Sequence, residues 1–179
     1  MAVPDYFRRN AIAAAQAISG LDEERLAEQL GGVRVGVTLG RDAADAEGAA
    51  LTDLLIRLLA RLYPTLSITG ESGDAVGQAR NLAARINPAI EFVDQPTIEV
   101  VVGTSELPAQ AKRVFVGSSA WSAVISTRGV QRCGSSLVPF GAGAAACLAA
   151  ANVFRYVFLP EPALDDEATL EVVPPGADG

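Results

Sequence analysis

Three carboxylates within six residues, Asp42, Asp45 and Glu47, follow directly on Gly40 and Arg41 and stand just beyond the apolar run Val33 to Leu39 (VRVGVTL). Carboxylates in a first helical turn interact favourably with the helix dipole, so capping is the simplest role for the trio. A phosphate held at the same place would be repelled by roughly 1 kcal/mol per charge pair at about 4 Å, even in water. Of the two cysteines, Cys133 follows Arg132 in a loop-like RCGSS stretch, where a neighbouring cation favours thiolate. Cys147 lies inside an alanine-rich segment and is expected to be a buried small hydrophobe. The chain has no histidine, so Ser118, Ser119, Ser135 and Ser136 lack an imidazole to activate them and a Ser-His-Asp triad is excluded. Two cysteines without histidine cannot complete a four-ligand zinc site, and no metal is expected.

These groups need a framework, and the chain is rich enough in apolar residues to build one. It has 179 residues, 50% of them hydrophobic, which suits a single domain with one core. A net charge of -7 argues against nucleic acid and against an anionic membrane surface as partners. Arg155 interrupts the most apolar stretch, Gly141 to Leu159, so no run reaches the ~18 to 20 uninterrupted apolar residues of a membrane span. The first residues lack a secretory apolar core, which makes a cytoplasmic location the expectation.

Helices are expected from Pro4 to Gly20 and from Leu21 to Leu30, with Gly31 and Gly32 ending the second. Val33 to Leu39 reads as a strand. The helix after it carries Leu51, Leu54, Leu55, Leu58, Leu59 and Leu62 on one stripe and is stopped by Pro64. A short strand, Leu66 to Thr69, precedes a helix from Asp74, its expected cap, to Ile86. Further strands fit Ile90 to Val93, Ile98 to Val102, Arg113 to Val116 and Ala123 to Ser126, and a long helix fits Gly141 to Phe158. Strand and helix alternating in this way imply an α/β domain with a mostly parallel sheet.

The order of the pieces resembles the ThiF-type adenylyltransferase superfamily, which includes the ubiquitin-activating enzymes. The likeness rests on Tyr6-Phe7-Arg8-Arg9, on the strand Val33 to Leu39, on Gly77 to Phe92 with its Ile86-Asn87-Pro88 turn, and on the helix Phe140 to Phe158. It implies a Rossmann-like three-layer fold with helices on both faces of the sheet. Residues 1–159, with N-terminal helices over 4–30, would form the domain, and 160–179 a polar linker with a last strand at 169–173. The departures from the family define the expected function. Only Gly40 stands where the family has a glycine loop, Gly70 replaces its ribose-binding acid, Gly103 replaces a later Asp, and Arg80 is the nearest cation to a missing lysine. The resemblance therefore implies a non-catalytic half of an ATP-dependent adenylating enzyme, a dimerisation scaffold whose Arg8 reaches the partner's ATP phosphates in trans. Gly40, Arg41 and Arg80 would be the remnant of a nucleotide site, and Gly141, Gly143, Ala146 and Ala150 the dimer interface. ATP and magnesium would belong to the competent partner and no cofactor to this chain. The implied partners are a homologous ThiF-like domain or a second copy, and a ubiquitin-like or small carrier protein. The alternative is a stand-alone Rossmann-like enzyme or binder of a nucleotide or small molecule, using Gly40, Arg41, Arg80 and the turn at Gly103 to Ser105.

Overall fold

A computed structural model describes residues 28–29, 31–158 and 167–171. The strands are β1 (Val35–Leu39), β2 (Thr65–Gly70), β3 (Glu91–Phe92), β4 (Ile98–Val102), β5 (Lys112–Ser119), β6 (Ser122–Ser126) and β7 (Glu167–Glu171), and the long helices are α1 (Ala46–Leu62), α2 (Gly73–Ile86) and α3 (Phe140–Phe158). One mixed sheet holds all seven strands in the order β3-β2-β1-β4-β5-β6-β7. The first five are parallel, and β6 is antiparallel to both its neighbours. The chain builds outward from β1 to β3 in one direction, then returns to the other side of β1 to add β4. Adjacent strands β1 and β4 thus flank a topological switch point, where open α/β sheets leave a crevice beyond the carboxyl ends of their strands.

Alternation along the strands separates two faces of different character. Val35, Val37, Leu39, Leu66, Ile68, Val100, Val102, Val114 and Val116 join the leucine stripe of α1 in one hydrophobic core. Leu51, Leu55, Ile56 and Leu59 are fully buried, each worth about 2 kcal/mol of transfer free energy. The helix ends at Leu62, before Pro64, as its sequence requires. It lies between α2 and α3, touching both, so the three long helices share one face of the sheet. The expectation of helices on both faces is met on one face only among the described residues.

The other face carries a buried polar row. The Thr38 hydroxyl donates to Glu99 and lies 3.1 Å from the Thr69 hydroxyl. Glu99 and Arg113 are register partners on β4 and β5, and Arg113 Nε donates to Glu99 Oε2 at 2.7 Å. Polar side chains at these positions give β1 and β4 an inner lining that hydrophobic alternation alone does not announce.

Several boundaries differ from the sequence reading, for local reasons. Residues 28–29 and 31–32 are helical and residue 33 is not, so the glycine pair stands at the helix end, while the helix expected over 4–20 and most of that over 21–30 lie outside the described residues. The cap of α2 is Ser72, whose Oγ accepts from Ala75 N, rather than Asp74. The strand expected at 169–173 lies at Glu167–Glu171, where it pairs with β6. Helix α3 is long and apolar enough over Phe140–Val157 to cross a membrane by length and composition, Arg155 notwithstanding. Here it packs on β5, β6 and α1, with Ala142, Ala145, Ala146, Ala149 and Val153 fully buried. Its outward stripe carries Cys147, which is exposed and not the buried hydrophobe expected.

Candidate functional site

The site forms beyond the carboxyl ends of β1, β4 and β5, and two of the three carboxylates organise it. Asp42 sits in a short 3-10 turn, Arg41–Ala44, immediately after β1. Its Oδ1 accepts from Thr104 N at 2.5 Å, and its Oδ2 accepts from Thr104 Oγ1 at 3.1 Å and from Cys133 N at 2.9 Å. Glu47 lies in the first turn of α1, yet reaches across the sheet. Both its oxygens are 3.0 Å from Ala120 N, and Oε1 also accepts from Ser136 N at 3.1 Å. Asp45 holds the N-cap position of α1 without a side-chain capping bond. Capping is therefore not what Asp42 and Glu47 do. They tie three remote loops to the switch point, which the local sequence around residues 40–47 does not reveal.

Glycine makes this closeness possible. Gly103 has φ of 72°, a conformation that L side chains rarely adopt, and a Cβ there would run into the Asp42 carboxylate. A Cβ on Gly134 would likewise meet Glu47. Ala120 opens the two-residue turn between β5 and β6 at φ of 49°, with its N–H held by Glu47. A positive φ at alanine is costly, and the carboxylate supplies a partner that fixes it.

Cys133 lies at the centre of these contacts. The segment around it runs alongside the end of β5, with Ser118 N donating to Arg132 O at 3.0 Å and Gly134 N donating to Ser118 O at 2.9 Å. The thiol is buried, and burial pushes its pKa from 9.0 up to about 12, with the Asp42 and Glu47 charges adding to the rise. Burial and these carboxylates, not the Arg132 cation expected from the sequence to favour thiolate, set the direction of the shift. Beside the segment lies a cleft of about 650 Å³ lined by Arg41, Asp42, Asp45, Thr104, Val130 and Arg132. Among the described residues no three His, Cys, Asp or Glu side chains are grouped so as to hold a metal ion.

The residues singled out by sequence are distributed as follows. Gly40 and Arg41 are at the site: Gly40 N donates to Val102 O at 2.9 Å, and Arg41 lines the cleft while paired with Glu106 at 2.6 Å. Arg80 is elsewhere, donating to Ile68 O at 2.9 Å with its guanidinium over the Phe92 ring. The turn at Gly103 to Ser105 is part of the site through Thr104. Gly141, Ala146 and Ala150 are buried within the chain itself, while Gly143 is half-buried. Arg8 lies outside the described residues. Sequence reasoning missed the reach of Asp42 and Glu47 and the backbone pairing of Ser118 with the Cys133 segment. The glycines at 103 and 134 were the available signal, since each marks a place where another group must come close.

Fold and site together define an α/β domain in which carboxylates hold the loop of a buried cysteine beside the switch point. The chain belongs to the family described as prokaryotic E2 family C, whose model matches residues 39–159. It is also 38% identical over 165 residues to an uncharacterised protein, y4jF, of Sinorhizobium fredii (strain NBRC 101917 / NGR234). That match takes in 88% of this chain and 32% of the relative, so the chain spans about a third of the relative's length. Membership of the E2 family overturns the resemblance to ThiF-type adenylyltransferases. The non-catalytic adenylating half and the stand-alone nucleotide-binding alternative fall with it. The pieces that carried the likeness are general devices. Asn87 forms a turn by accepting from Ala89 N, and the alanines of α3 pack a helix closely on a sheet. Neither is specific to nucleotide chemistry.

Proposed function

We propose that this chain is an E2-related domain that works in the conjugation of a ubiquitin-like protein, with Cys133 as the thiol that carries the modifier's C-terminal carboxyl. The class named E2 performs acyl carriage: a cysteine takes the modifier from one thioester as another and yields it to an acceptor. The observation that supports Cys133 is its setting. It is tied by its own N–H to Asp42 at the switch point, and Asp42 and the adjacent Arg132 line a cleft of about 650 Å³, wide enough for a slender chain terminus. Cys147, the other thiol inside the matched segment, lies on the exposed stripe of α3. In the exchange, the Cys133 sulfur bonds to the thioester carbonyl carbon, the donor C–S bond breaks, and the thiol proton ends on the departing thiolate.

A thiol with its pKa near 12 holds its proton at neutral pH, so exchange calls for a passing loss of burial that lowers it. A thiol of high pKa is also a poor leaving group, which favours retention of the acyl group once it is loaded. Burial of Cys133 equally favours a second reading, a binding module that holds the modifier or a partner without acylation.

The test uses the 179-residue chain and the N-acetylglycyl thioester of mercaptoethanesulfonate, with adducts read by intact-mass and peptide mass spectrometry. An adduct on Cys133, lost in Cys133→Ala and kept in Cys147→Ala, supports the carrier. Absence of an adduct, or an adduct on Cys147 alone, refutes it.

A further inference from the structure

We propose that the Ser118 hydroxyl is the donor that stabilises the oxyanion formed when Cys133 exchanges an acyl group. This rests on the carrier reading of Cys133. Ser118 is 3% exposed, and its buried Oγ has no hydrogen-bond partner. Buried hydroxyls are nearly always paired because an unpaired one loses its water without return, so an orphan of this kind calls for a reason.

Its position supplies one. Ser118 and Cys133 are partners in a parallel bridge, and residues so paired point to the same side with Cβ atoms on the order of 5 Å apart. The free hydroxyl and the thiol are therefore neighbours. Five backbone donors around the thiol are committed elsewhere: Cys133 N to Asp42, Ala120 N and Ser136 N to Glu47, Gly134 N to the Ser118 carbonyl, and Ser118 N to the Arg132 carbonyl. The side-chain charges closest to the thiol, on Asp42 and Glu47, would repel a second negative oxygen. The Ser118 O–H is a buried donor beside the sulfur with no partner of its own.

The step needs only the incoming thioester. As the Cys133 sulfur bonds to the carbonyl carbon, the carbonyl π pair moves onto oxygen, and Ser118 donates to that oxygen. Collapse restores the carbonyl and expels the donor thiolate, which takes the proton released by Cys133. Ser118 itself forms and breaks no covalent bond. A donor aimed at charge that develops only in the intermediate acts on the rate of exchange rather than on binding.

The experiment compares two reactions of Cys133 in the same chain: acyl exchange with the N-acetylglycyl thioester, and alkylation by iodoacetamide. Alkylation at a saturated carbon develops no oxyanion, so it reports access and thiolate supply alone. Ser118→Ala is expected to slow acyl exchange by about 100-fold while alkylation stays within about twofold, and Ser118→Thr, which keeps the hydroxyl, is expected to restore most of the exchange rate. Equal slowing of both reactions shows a structural role and overturns the proposal, as does unchanged exchange in Ser118→Ala. Should the unsubstituted chain alkylate at Cys133 but never acylate, the carrier reading fails and the hydroxyl's role with it. Acylation of Cys133 with no effect of Ser118→Ala instead leaves the carrier intact and removes only this step.

Discussion

Glu47 offers the sharpest test of the clamp, because its contacts can be counted. The side chain is 1% exposed and accepts from two backbone N–H groups, Ala120 and Ser136, that lie 73 and 89 residues away along the chain. Truncation in Glu47→Ala removes the carboxylate partner of both donors, which sit at half-buried residues. At about 1 to 3 kcal/mol for each orphaned group, the loss should be about 4 kcal/mol in total. For a domain of this size that corresponds to a fall in Tm of about 10 °C. Glu47→Gln keeps one acceptor oxygen but turns an NH2 toward at least one of the same donors, so about half that cost is expected. Urea denaturation gives the stabilities, and amide hydrogen exchange gives the location: Ala120 and Ser136 should lose protection before the strands of the core do. The same substitution removes one of the charges that raise the Cys133 pKa, a smaller contribution than burial, so iodoacetamide should react faster at pH 8. A Glu47→Ala chain within about 1 kcal/mol of the unsubstituted one, with exchange at Ala120 and Ser136 unchanged, would refute the clamp.

Two further outcomes follow from buried ionisable groups. Arg113→Ala should cost about 3 to 5 kcal/mol, because it strands Glu99, whose side chain is 3% exposed, whereas changing both residues to leucine should cost much less; urea denaturation of single and double variants decides, and a single-variant cost below about 1 kcal/mol would count against a tightly coupled pair. The Cys133 thiol is protonated in both folded and unfolded chains below pH 9, so its contribution is fully present there; between about pH 9 and 12 only the unfolded chain loses the proton, and stability should fall by about 1.4 kcal/mol per pH unit. Cys133→Ala should remove that slope between pH 9 and 10, leaving the later fall due to Tyr63, whose pKa burial also raises, and identical slopes in the two chains would contradict the assignment.

The framework was legible where periodicity is strong. Strand β4 is Ile98–Val102 as its sequence suggests, and α1 ends before Pro64 with its leucine stripe inward. Strand β5 was read too short, as Arg113 to Val116, because Gly117, Ser118 and Ser119 carry turn-like composition. Those are the residues that reach the site. In α3 the alanines leave no periodic contrast, so nothing in the sequence separates the inward positions Ala142, Ala145, Ala146 and Ala149 from the outward Cys147. The clamp was illegible for a different reason. Asp42 binds Thr104 and Cys133 across 62 and 91 residues, and an acidic residue after a strand looks the same whether it caps the next helix or ties down a distant loop.

Glycine has a meaning in this setting other than the one a nucleotide loop would give it. In a phosphate-binding loop, glycine lets backbone N–H groups approach an anion brought by the ligand. Here Gly103 and Gly134 make room for anions that belong to the chain, the carboxylates of Asp42 and Glu47. Those carboxylates take up the N–H groups of Thr104, Cys133, Ala120 and Ser136. A phosphate arriving at the same strand ends would meet the charges of Asp42 and Glu47 and backbone donors already engaged, with the cleft-lining Arg41 and Arg132 to oppose that repulsion. An acyl thioester carries no charge at its reacting carbonyl. On the proposed reading such a group needs a sulfur nucleophile and a donor, and the bridge between Cys133 and Ser118 sets a thiol beside an unpartnered hydroxyl. The carboxylates that work against a nucleotide phosphate would place no such penalty on a neutral acyl group, which is the chemistry the proposal assigns here.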